Sequence, residues 1–465
     1  MRNSDQNNRD RKLLHLVDRY RKAVNGIVPA FFDEDEMQDV IDYFLDEHDL
    51  GGASEAISFA LQLHPGNVSL MARQVNVLIE EKHYSHAELL VDELLTQESD
   101  NIDALLCKGE LLIIQEKFSE AKNIFRKLMI SEDVVAENMC LDIAFIYINH
   151  QMYDSARSFL LEGYTKGGNH NLDLCHELAC CDEQLGFYDE AIDLYNFILD
   201  KEPFTGDVWF NLGQLYFLQK DYEKAINAYD YAYLIGKDDY EALLNLGHCY
   251  FHSGGLKKAI ETYMEYLAKN GPSATVITYI GDCHEQLGDH DTALKCYSQA
   301  TELEPDNADA WAGAAFCRME QGKYSQALPM ALKAIELNPE SGSYWIYLGE
   351  IYENLNKMDD ALAAYKKSIE FFPDSAEVYA SIGEVYIYKE MYEEALVHLL
   401  KAQNGDQNIE ELPLLLSIAY YKLGQKNLAS EQLVIAISRN EDNRQGFFEM
   451  CPEAAKDSKF MFFNK

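Results

Sequence analysis

Two histidines four residues apart, His248 and His252, form the first constellation in this sequence with a recognisable chemistry. On one helix that spacing puts both imidazoles on one face, where they could share a metal ion with a third ligand such as Asp282. No further ligand stands at a fixed spacing. The pair therefore reads as two exposed histidines whose protonation changes the local charge near pH 6. Carboxylates at Asp282, Glu350 and Glu384 alternate with rings at Phe210, Phe217, Phe251, Tyr279, Phe316, Tyr347 and Tyr388, and Asn211 and Asn245 add two amides. Acids interleaved with aromatics suit the recognition of cations: the rings supply desolvated anchors and cation–π faces, and the carboxylates steer encounter and select charge. Catalysis is not indicated. There is no nucleophile beside a base, no phosphate-binding loop and no set of metal ligands. The carboxylate pairs that hydrolysis would use are too many and too regularly placed to single one out.

That regularity comes from a repeat. Alanine stands at 53, 87, 121, 156, 191, 225, 259, 293, 327, 361, 395 and 429, always 34 residues apart except for 35 on either side of Ala156. With this alanine as position 20, the units begin at 34, 68, 102, 137, 172, 206, 240, 274, 308, 342, 376 and 410. A period of this length is the signature of a stacked array of short units. Positions 4, 7, 8 and 11 form the apolar stripe of one amphipathic helix, and positions 20, 24 and 27 that of a second. Small residues at positions 8 and 20 let the helix backbones approach, while large ones such as Trp209, Trp311, Trp345 and Tyr379 at position 4 fill the space beside them. Position 15 is Gly186, Gly254, Gly288, Gly322, Gly424 or Asn356 in six units, residue types that accept the left-handed conformation ending a helix. Position 32 is Pro65, Pro203, Pro305, Pro339 or Pro373, which stops the second helix. The prediction is an all-α chain: a segment over 1–33, twelve helix–turn–helix units over 34–443, and a cap over 444–465 built on Phe447, Phe448, Met450 and Phe460–Phe463. It is expected to form one elongated body, with its most flexible joint near Gly163, Gly167 and Gly168.

Two stretches carry a resemblance to a known family: Trp209-Phe-Asn-Leu212-Gly213 through Tyr216, Ala225, Tyr229 and Ala232, and Asp306-Asn-Ala-Asp-Ala-Trp311. In them the chain resembles the tetratricopeptide repeat (TPR) family, and the register extends the resemblance over about nine-tenths of the length. It is weaker before residue 172, where Gln74 and Lys108 occupy the apolar position 7. The resemblance implies a right-handed α-solenoid superhelix of antiparallel helix pairs, whose first helices line a concave, peptide-holding groove, and it implies no catalysis. It also implies that positions 2, 5, 6, 9, 12 and 13 face the groove. On this chain those positions carry all the residues named in the opening paragraph, with further acids such as Asp103, Glu110, Asp142 and Glu353, and only Arg73 and Lys422 oppose them. Such a groove takes a basic or mixed basic/apolar peptide; the alternative is that its acids merely solvate a surface. Some family members clamp a C-terminal carboxylate with basic residues and asparagines. Here Asn211 and Asn245 hold position 6 without the basic partners, which leaves them the backbone of an extended peptide or solvent.

Composition narrows the partners. The net charge is −40, and residues 1–33 carry seven Lys/Arg against four Asp, so the remainder carries −43. A surface this acidic argues against nucleic acid and anionic membranes, both of which demand lysine and arginine. The polar start is followed by no run suited to a signal peptide, and nowhere do about 18 consecutive apolar residues suggest a membrane span. The ten cysteines show no CxxC spacing, and Cys181, Cys249, Cys283 and Cys317 share the inward-facing position 10. These features predict a cytoplasmic, reducing setting with no cofactor. From Asp10 to Asn25 a helix with Leu13, Leu14, Leu16, Val17, Tyr20 and Val24 apolar shows Arg9, Arg11, Lys12, Arg19, Arg21 and Lys22 on its other side. It reads as a cap on the first unit. A second possibility is that it occupies the acidic groove of its own chain or of another copy, which would make the protein a self-associating one.

Overall fold

A computed structural model describes residues 2–26, 31–130, 136–166, 170–236, 240–406 and 408–463 of the chain. Among these residues stand 26 α-helices, a short 3₁₀ turn at Pro452–Lys456 and no strand. No described helix is long and apolar enough to cross a membrane. The contacts fall into two compact units, residues 1–208 and 209–465, where the sequence predicts one body.

From Glu34 to Arg439 the helices follow one another as twelve pairs joined by tight turns. Residues 274–303 show why. The Ser273 hydroxyl accepts the Val276 N–H and opens the helix Ala274–Gln286, and the Asp289 carboxylate accepts the Thr292 N–H to open His290–Leu303. Between them Gly288 turns the chain at φ 75°. All twelve position-15 residues have positive φ, including His48, Lys82, Glu116, Gln151, Lys220 and Glu390, in which the sequence offers no hint of it. A side chain there costs about 1–2 kcal/mol, part of which glycine's greater freedom in the unfolded chain offsets. Lys220→Gly and Glu390→Gly are therefore each expected to raise stability by about 0.5–1 kcal/mol in urea denaturation; a loss would show that the turn tolerates its side chain without strain.

Neighbouring repeats are tied by a recurring clasp. The Trp311 indole donates to the Pro305 carbonyl at 3.0 Å, Trp345 does the same to Pro339 at 2.9 Å, and the Tyr379 hydroxyl donates to Pro373 at 3.1 Å. Position 4 thus reaches back over the proline that stops the preceding helix. Inside five of the pairs, position 24 lays a ring against a glycine at position 8: Phe125 on Gly109, Tyr229 on Gly213, Tyr263 on Gly247, Tyr297 on Gly281 and Tyr365 on Gly349. A Cβ added to Gly349 would lie 2.5 Å from Tyr365 Cε1, so only glycine lets that ring sit so close.

Three expectations meet the structure differently. Gly163, expected at a flexible joint, is buried in the helix Tyr153–Thr165, where an added Cβ would lie 2.8 Å from Cys140 Sγ; it is a close-packing glycine. Gly167 and Gly168 lie outside the described residues. The basic N-terminal helix, Arg2–Val24, packs on the first unit: Val17, Tyr20 and Ala23 are buried, Arg19 pairs with Glu36, and its guanidinium covers the Phe32 ring at 4.4 Å. The side chains of Arg9 and Arg11 lie outside the described ones. At the other end Phe447 and Phe460 stack at 5.5 Å and cover the helix Leu412–Lys422, with the Tyr421 ring edge-on to both.

Candidate functional site: a tyrosine-backed carboxylate face

The position-24 tyrosines join the core to the first-helix face. Tyr195, Tyr263, Tyr297 and Tyr365 are at most 1% exposed, yet each hydroxyl reaches a polar group on the first helix of its own unit. Tyr365 donates to Glu353 at 3.0 Å and Tyr195 to Glu183 at 3.4 Å. The Tyr297 oxygen lies 2.8 Å from Asp282 Oδ1 and 2.9 Å from Glu285 Oε2, and the Tyr263 oxygen lies 2.9 Å from His248 Nδ1. Sequence reasoning placed position 24 in the apolar stripe and missed this contact. The signal was tyrosine, and not phenylalanine, at a core position facing Asp or Glu at positions 9 and 12.

Within residues 209–465, a cavity of about 550 Å³ opens between first helices and is lined by Tyr279, Asp282, Glu285, Asp309, Tyr344 and Tyr347. A second, of about 390 Å³, is lined by Glu377, Glu384, Asp406, Glu410 and Glu411 with Leu415 at its side. Burial, aided by the charges of Glu285 and Asp309, pushes the Asp282 carboxyl up to about 6. Burial, followed by repulsion from Glu384, pushes Glu353 up to about 7. Glu285, Glu350 and Glu384 are raised for the same first reason. The charges acting on these five carboxyls are other carboxylates, apart from His290 beside Glu285. Half-buried acids in such surroundings attract any cation that reaches them.

The 1–208 unit differs. A cavity of about 640 Å³ there has Glu80, Asp103, Glu110 and Asp142 on its wall, but also Lys82 and His150, whose Nε2 lies 3.2 Å from Glu110. Arg73, one of the two basic residues expected on the groove positions, is bonded to Asp42; the other, Lys422, pairs with Glu453 at 2.8 Å.

The predicted site residues gather in clusters. Asp282, Tyr279 and Tyr347 share the larger cavity, and the Phe316 and Tyr347 rings meet at 5.6 Å. Glu350 and Glu384 lie beside Glu353, and the Tyr388 hydroxyl, on a half-exposed ring, donates to Glu384 at 3.3 Å. Phe210 packs edge-on to Tyr229. Phe217 and Phe251 meet His252 at 5.4 and 5.3 Å, too close for a cation to lie between those rings. Asn211 and Asn245 are half-buried on the helices Gly206–Leu218 and Tyr240–His252. His248 corrects an expectation. It is not an exposed histidine but is wedged against Tyr263 and Tyr279, and burial, followed by the charge of His252, lowers its proton affinity. Its charge therefore appears only at more acidic pH than an exposed imidazole's.

In sequence, residues 201–335 match the profile of the cilia and flagella-associated protein 70 C-terminal domain, and residues 318–376 match a tetratricopeptide-repeat profile. No curated protein matches the chain. Among solved structures, the APC/C hetero-tetramer Cut9–Hcn1 is similar over 94% of this chain and 98% of that one, at 13% identity and a TM-score of 0.46. PilF of Pseudomonas aeruginosa covers 46% of this chain with 97% of its own, at 18% identity and a TM-score of 0.42. A MamA protein covers 37% with 94% of its own, at 23% identity and a TM-score of 0.32.

Proposed function

Because the chain belongs to the tetratricopeptide-repeat family, we propose that it is a non-enzymatic interaction scaffold binding a basic or mixed basic/apolar peptide segment on the first-helix face of residues 209–465. The observation that carries this reading is the cavity walled by Asp282, Glu285 and Asp309 with Tyr279, Tyr344 and Tyr347. The acids supply charge, the rings supply flat apolar contact, and the half-buried setting strengthens both. A lysine or arginine side chain entering there relieves the repulsion among the carboxylates and lays its aliphatic stem along the tyrosines. A cytoplasmic setting belongs to the same proposal and rests on ten cysteines with no disulfide among them.

The test is fluorescence anisotropy with two labelled peptides of equal length, one of lysine, arginine and leucine and one with the basic residues replaced by glutamate. The basic peptide is expected to bind at least ten-fold more tightly at low salt and to weaken steeply as salt is added. Equal binding of the two peptides sinks the proposal. No binding of either, with a mass that grows with protein concentration in light scattering, replaces it with self-association.

A further inference from the structure

Tyr297 has one hydroxyl proton and two carboxyl neighbours. Asp282 Oδ1 and Glu285 Oε2, three residues apart on the helix Ala274–Gln286, lie 2.8 and 2.9 Å from the same phenol oxygen. An ionised carboxylate only accepts hydrogen bonds, so the hydroxyl serves one of them and the other turns bare lone pairs on the phenol oxygen. A neutral carboxylic acid removes the conflict. Its O–H donates to the phenol oxygen while the phenol donates to the remaining carboxylate, and all three groups are satisfied in one chain.

We infer that the trio Asp282–Tyr297–Glu285 holds one shared proton in the ligand-free protein at pH 6, and that a cationic ligand displaces this proton on binding. This deepens the proposed function and rests on it for the second half. The surroundings favour the proton. Asp309 and Glu320 face the trio from the helix Ala308–Glu320 with the thiol of Cys317, and the phenols of Tyr263 and Tyr347 face it from helices on either side. Tyr279 and Cys283 flank it on its own helix. His290, beside Glu285, is the one group among these that gains positive charge, and it lies at the far end of the helix that carries Tyr297. Burial and the neighbouring carboxylates raise Asp282, and burial raises Glu285, in the direction a retained proton requires. Since both oxygens touch one atom, they lie within about 6 Å of each other, a span that one guanidinium bridges. The incoming cation then supplies the donors that the proton supplied before, and the proton leaves to solvent.

Isothermal titration of the basic peptide into the full-length protein at pH 6, in buffers of different ionisation enthalpy, counts the protons exchanged. Binding to the native chain is expected to release about half a proton or more per peptide at this trio, since the Asp282 carboxyl titrates near this pH, and Asp282→Asn, which leaves Tyr297 a single carboxylate to serve, to release correspondingly less. At pH 8.5 the two proteins are expected to release none. Peptide binding with no proton release at pH 6, or with the same release in Asp282→Asn, overturns the inference. The ligand-free half is read separately in the infrared. The difference between native protein and Asp282→Asn should show a protonated carboxyl stretch at pH 6 that is gone at pH 8.5. Its absence overturns the inference whether or not any peptide binds, whereas its presence with no peptide binding removes only the proposed function.

Discussion

Tyr365→Ala is expected to cost about 4 kcal/mol of stability, read as a lower midpoint in urea denaturation of the full chain. The ring is 1% exposed and fills the space over Gly349, where not even a methyl group fits between ring and backbone. The helices Gly342–Asn354 and Met358–Ile369 are each packed against further helices in the stack, so they cannot close on the void left behind. Tyr365→Phe keeps the ring and removes only the hydrogen bond to Glu353, and about 1 kcal/mol is expected. The two variants therefore separate ring packing from hydroxyl support. Equal losses in both would mean that the hydroxyl, and not the ring, holds this helix pair together.

Glu353→Gln should do the opposite to stability while harming binding. An ordinary glutamate titrates near 4.5, and burial with repulsion from Glu384 takes Glu353 to about 7. Because the folded-state value is raised, the folded chain holds this proton more tightly than the unfolded chain. The associated stability is present below the ordinary value and is lost as pH rises towards 7; above that, an ionised half-buried carboxylate weighs against the fold. The amide has no such penalty. At pH 8 the variant is expected to gain about 1–2 kcal/mol, a figure reduced for the side chain's partial contact with water, and at pH 4 to gain almost nothing. Its affinity for the basic peptide is expected to fall about ten-fold at low salt, through the lost charge. A gain of equal size at both pH values would show that charge is not the cause. Greater stability combined with weaker binding is the behaviour of a site that is kept against the stability of its fold.

Much of the architecture was legible because one residue type in each unit is under a hard steric limit. Alanine at position 20 in all twelve units and small residues at position 8 in ten of them mark where the paired helices approach, and at the position-8 glycines the facing side chain leaves no room for a Cβ. The turns were half legible. Glycine or asparagine announced six of the left-handed positions, but Lys220 and Glu390 adopt the same conformation because the packing of the helix pair imposes it on whatever residue is present. The site was legible as a composition and not as a network. Asp282, Glu350 and Glu384 stood out by type and register, whereas the support of Asp282 by Tyr297 depends on a ring crossing the core from the second helix. His248 misled for the same reason, since nothing in its own helix reveals that Tyr263 and Tyr279 enclose it. The division at residue 208 falls within a unit whose repeat pattern is intact, so no change in composition marks it.

Within each of the two units, the helices that pack most extensively are neighbours in sequence or one further apart, and the clasps from Trp311, Trp345 and Tyr379 each span only six residues. Such a chain never has to wait for a distant segment before it can take shape. A ribosome adding about 5–20 residues each second delivers a 34-residue repeat every few seconds, while local helix packing needs milliseconds or less. Each repeat thus emerges to find its predecessor already folded and offering a ready surface. The newest repeat always leaves an uncovered apolar flank behind the exit tunnel. For the final one, that flank is shielded only when Phe447 and Phe460 arrive.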